Sequence, residues 1–187
     1  MLRLSKRVDG FFETVRSGAV EIYNEFSLQH ELGFCLREKL GERYKVQFER
    51  PFSLFGLAGD IEKKEIDISI FTSDHAEKYA VELKFPHAGQ HPEQMFSACR
   101  DILFLEELVR AGFCGGMFVI AADDHLFYSG ERCDGIYGAF RGDDVLTGDI
   151  HKPTGDRDVV LRLRGKHRIL WHDVVDHLKY AVVVIDR

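Results

Sequence analysis

The sequence predicts an α/β domain on a mixed central sheet, in the order helix, three antiparallel strands, helix, strand. Three observations predict it. Apolar residues recur at helical spacing over 20–40 and over 92–111. Between these segments, three stretches alternate apolar and polar residues with the period of a strand. After the second helix, "GMFVIAA" (116–122) is apolar without alternation, as expected of a strand buried on both faces.

The first helix, 20–40, carries Leu28, Leu32, Cys35 and Leu36 at helical spacing, and Gly41 ends it as glycine often does just past a helix. "RYKVQFE" (43–49) places Tyr44, Val46 and Phe48 on one strand face. "KEIDISIF" (64–71) and "KYAVELKF" (78–85) both alternate, and Ser73 and Asp74 supply turn chemistry between them, so they form a hairpin. "PHAGQHP" (86–92) reads as a loop. Pro92 suits the first turn of a helix, whose apolar positions are Met95, Phe96, Cys99, Ile102, Leu103 and Val109 and whose end is Gly112. That helix is long enough to cross back over the sheet, which makes the strand at 116–122 parallel to its neighbour. This core covers about 20–122. The extension, 123–187, reads as β-rich, with strands at "DVVLRLR" (158–164), "HRILW" (167–171) and "YAVVVI" (180–185) and a loop-dominated region at 130–155.

A length of 187 residues suits one domain, and 45% hydrophobic with 30% charged residues is the composition of a soluble globular chain. No apolar run is long enough to span a bilayer, and no long apolar segment follows the basic residues of "MLRLSKRVDGFF", so a secretory signal is not expected. The four cysteines form no C-x-x-C pair, so reduced thiols and a cytoplasmic location are expected. A net charge of −6 argues against a general nucleic-acid-coating protein. It leaves room for a local basic surface, and "RLRGKHR" (162–168) concentrates Arg162, Arg164, Lys166 and Arg168.

The hairpin holds the chemistry. A turn centred between Asp74 and His75 sets Asp67 opposite Glu82, and Glu65 opposite Lys84. Ile66, Ile68 and Ile70 then share one core side with Val81, Leu83 and Phe85. Like charges facing each other across strands are unfavourable. A divalent cation resolves the conflict, since paired hard oxygens suit Mg²⁺, with Mn²⁺ as its substitute. On "ELK" alone, a solvated strand face with a weak Glu65–Lys84 surface pair is the stronger reading. Glu31, beside Leu28, Leu32 and Cys35 in the apolar stripe, places a carboxylate on the buried side of the first helix, which is unusual without a partner. Gln94, early in the second helix, is a further polar candidate.

Glu31, Asp67 in "EIDISI", Glu82 and Lys84 in "VELKF", and Gln94 together resemble the PD-(D/E)XK nuclease superfamily. The order of elements is similar to its restriction-endonuclease-like αβββαβ core. Ile66 stands where the name-giving proline would be, and Ala98 where a Q-x-x-x-Y pattern would place tyrosine. The resemblance implies a Mg²⁺-dependent nuclease acting on DNA. Asp67, Glu82 and the Leu83 carbonyl would hold the metal. Lys84 would orient or deprotonate the attacking water, and Glu31 would hold metal-bound water or a second ion. Homodimerisation would suit double-strand cleavage. The competing reading is a catalytically inactive nuclease-like fold that binds nucleic acid or protein.

His87 and His91 flank this site and read as substrate contacts or as neutral loop residues; Gly89 and Pro92 make their segment a loop, which argues against zinc. Arg162 and Arg164, sharing a strand face with Gly165 at a turn, could grip phosphates, although a solvated hairpin reads equally well. "HDVVDH" (172–177) could attract a metal, but an exposed turn between strands is the stronger reading.

Overall fold

The computed structural model describes residues 2–57, 63–86, 89–155 and 158–186. Helices α1 (Leu4–Arg16) and α2 (Glu25–Leu40) precede strands β1 (Lys45–Pro51), β2 (Glu65–Phe71) and β3 (Lys78–Lys84). Helix α3 (His91–Arg110) leads to β4 (Gly115–Ala122). There follow α4 (Ile136–Arg141), β5 (Leu146–His151), β6 (Val160–His167), β7 (Trp171–Val175) and β8 (Leu178–Ile185). Six strands form a mixed sheet in the order β1-β2-β3-β4-β8-β7, and β5 pairs with β6 separately.

The expected α/β architecture is present. β1, β2 and β3 are antiparallel neighbours, and β4 runs parallel to β3. The hairpin has the expected register, with Ile68 opposite Val81 and Phe71 opposite Lys78. β4 is buried along its whole length, because one apolar layer packs on each face of the sheet. Leu28, Leu32 and Leu36 of α2 meet Ile68, Val81 and Leu83 on one side. Cys99, Ile102 and Leu105 of α3 meet Phe118 and Ile120 on the other. Ile66 packs in this second layer, not with Ile68 and Ile70 as alternation predicts. The chain is irregular beside it: Glu49, the residue of β1 nearest Asp67 in register, has a left-handed φ of 48°.

Several sequence expectations need correction. The first helix begins at Glu25, five residues later than read. Asn24 caps it by accepting from the Ser27 amide at 2.8 Å, while the Ser27 hydroxyl accepts from the Asn24 amide at 3.0 Å. An additional helix, α1, precedes it, and Phe12 stacks on Tyr180 with 3.8 Å between ring centroids. The region 130–155 contains α4 and β5. "HRILW" is a connection and "HDVVDH" a strand with its turn, because β6 continues to His167 and β7 starts at Trp171.

Gly165 therefore lies within β6 and not at a turn. Its lack of a side chain admits Glu106 of α3, whose Oε1 would be 2.9 Å from a Cβ there. Buried Glu106 accepts from the amides of Arg164 (2.9 Å) and Gly165 (2.7 Å), and bonds His167 Nε2 (2.7 Å). Burial works against this carboxylate, but the Arg164 amide, His167 and the Gly165 amide hold its pKa below the ordinary value. Its stabilisation is accordingly present above the unfolded pKa and lost as pH falls through the lower folded value. Glu106→Ala is expected to cost about 2–4 kcal/mol by leaving buried donors unpaired, measured by urea denaturation.

Candidate active site

The β2–β3 ladder stops at Ile68–Val81, one pair short of the expected Asp67–Glu82 pair. Beyond that point, side chains replace the ladder. Glu82 Oε1 accepts from the Asp67 amide at 3.2 Å, and Asp67 Oδ2 accepts from the Leu83 amide at 2.8 Å. Each carboxylate is thereby fixed by one oxygen and presents the other. The facing carboxylates read from the hairpin are thus brought together; one cation meets their repulsion, and a second stands beside Asp101.

The first cation is Lys63, two residues before β2. Its Nζ pairs with Glu82 Oε2, lies 3.1 Å from Asp101 Oδ1 and 3.7 Å from Asp67 Oδ1. The second is Lys84, whose Nζ lies 3.1 Å from Asp101 Oδ2 and 3.8 Å from Glu25 Oε2. Asp101 on α3, only 2% exposed, therefore bridges the two ammonium groups. Gln29 on α2 donates to the Asp67 carbonyl at 3.0 Å and to Glu49, tying β1 and β2 together where both are irregular.

Burial sets the electrostatics. Glu82 is 0% exposed, and burial, with Asp67 next, pushes its pKa well above the ordinary carboxylate value. Burial also lifts Asp67 to about 6, although Lys63 and the Leu83 amide pull the other way. For both lysines burial acts to lower the pKa, and it is outweighed. Glu82, Asp101 and Asp67 raise Lys63, and Asp101 and Glu25 raise Lys84. Both ammonium groups thus stay charged at neutral pH.

Glu31 is not part of this constellation: it is exposed on α2. The buried stripe is Leu28, Gln29, Leu32, Gly33 and Leu36, from whose centre Glu31 is turned by roughly 130°. Glu25 lies near that centre instead, and its Oε2 also accepts from the Phe85 amide at 3.1 Å. Gln94 is half-buried and shares a helical face with Asp101, seven residues on. Among the described residues its side chain makes no bond to the cluster. His87 lies outside the described residues. His91 begins α3 and bonds Asp124 Oδ2 at 2.7 Å, which ties it to the segment after β4.

The basic segment does not join the carboxylates. Arg162, Arg164, Lys166 and Arg168 are exposed along β6 and its end, beside the C-terminal half of α3. Arg162 forks onto Asp149 at 2.6 and 3.0 Å, and Arg168 donates to the Asp143 carbonyl at 2.7 Å. Sequence reasoning missed Asp101, Glu25, Gln29 and Lys63. Asp101 had a visible signal, a carboxylate between Cys99 and Ile102 in an apolar stripe. Lys63 had none.

Three hard carboxylate oxygens from three elements face one point, which is a donor set of the kind Mg²⁺ takes. The Leu83 amide points towards Asp67, and a strand residue directs its carbonyl to the same side as its amide. The donor chemistry fits a divalent cation; the cation at that point is the Lys63 ammonium. As arranged, no group of three or more His, Cys, Asp or Glu among the described residues could hold a metal ion. No helix among them is long and apolar enough to cross a membrane. No family model, curated protein or solved structure matches the chain.

Proposed function

We propose that the protein is a Mg²⁺-dependent nuclease of the PD-(D/E)XK type, with Mn²⁺ able to substitute and DNA as its substrate. One observation carries the reading: Asp67, Glu82 and Asp101 turn oxygens to a common cation, with Lys84 alongside. The sequence α2-β1-β2-β3-α3-β4, with only the β3–β4 pair of these strands parallel, supports a restriction-endonuclease-like core.

In this reading Asp67, Glu82 and Asp101 hold the metal, with the Leu83 carbonyl beside them. Bound there, Mg²⁺ would neutralise phosphate charge and acidify a water. Gln29 and the Leu83 amide fix Asp67, and Asp101 and Glu25 aim Lys84. Because Lys84 remains an ammonium, its part is to hold the attacking water and stabilise negative charge growing on the phosphate, not to take the proton. Linear, nicked, branched and single-stranded DNA with Mg²⁺ test the proposal. Cleavage of at least one is expected, slowed about 10²–10³-fold by Lys84→Ala. Unchanged cleavage by that variant would remove Lys84 from the mechanism.

The second reading, a non-cleaving binding module, has one observation in its favour: the Lys63 ammonium already occupies the point that the three carboxylates face. Such a module shows no thermal stabilisation by Mn²⁺ that depends on Asp67 and Glu82, whereas the nuclease does.

A further inference from the structure

We propose that Lys63 is a resident counter-cation that a divalent metal must displace, so that this one side chain sets the metal affinity of the site. The inference rests on the metal-dependent reading above and adds a competitor built into the chain. Its Nζ stands among one oxygen each of Glu82, Asp101 and Asp67, the three oxygens not held by backbone amides or by Lys84. An ammonium and a divalent ion cannot share that point: their repulsion at a few ångströms in a buried site is large.

The position of Lys63 lets it leave. It precedes β2 outside any regular element, and its side chain is 27% exposed, against 14% for Lys84 on β3. A lysine is a compact charge on a flexible stem, able to swing its head into water while its backbone stays in place. Lys84 lacks this freedom, being strand-borne and held from α2 and α3. The two lysines thus divide the work. Lys84 is a fixed charge, and Lys63 balances the carboxylates only until a metal takes over. Metal-free, the site is closed and largely charge-compensated; metal-loaded, Lys63 is released to solvent.

Calorimetric titration of Mn²⁺ into the metal-free full chain tests this, with Lys63→Met as the variant and Lys64→Met, an exposed neighbour, as the control. Lys63→Met is expected to bind Mn²⁺ at least tenfold more tightly than the unaltered chain, and Lys64→Met to match it. Should Lys63→Met fail to fold without metal, the unaltered chain supplies the answer by nitrogen–proton NMR of its lysine ammonium groups. A slowly exchanging Lys63 signal in the metal-free chain should vanish on saturation with Mg²⁺; its persistence overturns the inference. Equal Mn²⁺ affinity with and without Lys63 also overturns it and leaves the metal site standing. Absence of Mn²⁺ binding in both overturns the metal-dependent reading and the inference together.

Discussion

Asp67→Asn is expected to abolish metal-dependent cleavage and at the same time to stabilise the protein at neutral pH. The loss follows from removing a charged oxygen from the three that face the cation. The gain follows from the cost of holding Asp67 ionised where burial lifts its pKa from 3.8 to about 6. A carboxyl whose folded pKa exceeds its unfolded one binds more protons when folded. Its contribution is therefore greatest below the unfolded value and is lost as pH rises from about 4 to about 6. A shift of about two units corresponds to roughly 2–3 kcal/mol. Asparagine keeps an acceptor for the Leu83 amide and carries no charge to desolvate. Urea denaturation in EDTA should show variant and parent nearly equal near pH 4. The variant should then gain up to about 2–3 kcal/mol by pH 7.5. A variant less stable at pH 7.5, or a difference that does not change with pH, contradicts the account. Residues that trade stability for chemistry in this way are characteristic of functional sites.

Asp101→Ala is expected to act in the opposite sense and to cost about 3–5 kcal/mol. Asp101 is buried and touches both ammonium groups, at 3.1 Å in each case. Without it, Lys84 keeps, among the described residues, only Glu25, more distant at 3.8 Å and half exposed, while its own side chain remains largely buried. Relief of repulsion with Glu82 and Asp67 offsets part of the loss. Asp101→Asn, which keeps the shape, should fall between the two. The pair of variants separates charge from packing, because a packing role would leave Asp101→Asn close to the parent. Chemical denaturation of all three proteins at pH 7.5 gives the comparison.

The hairpin is legible in the sequence because two alternating runs surround a short polar turn, so register follows from pleat and turn alone. The parallel β4 is legible because a strand covered on both faces has no polar positions. Pleat and turn also suffice to bring Asp67, Glu82 and Lys84 to the same end of the hairpin. Glu31 misleads because Leu28 and Leu32 also fit a stripe turned towards it. Burial of Gly33 beneath Phe48, which a Cβ there would approach to 2.0 Å, shifts the stripe the other way and brings in Glu25 and Gln29. Lys63 lies outside any periodic element, so no pattern marks it. The extension is hard to read for a different reason. β8 pairs with β4, some sixty residues earlier in the chain, and local alternation carries no information about so distant a partner.

Cleavage by the unaltered chain and by Asp67→Asn, purified in parallel, is the most direct test of a metal-dependent nuclease. With Mg²⁺, the unaltered chain is predicted to cut at least one DNA substrate in a reaction that EDTA stops. Asp67→Asn, folded and no less stable, is predicted to cut at least 10³-fold more slowly. Equal cutting by the two proteins, or no cutting of any DNA by the unaltered chain with either Mg²⁺ or Mn²⁺, would contradict the account.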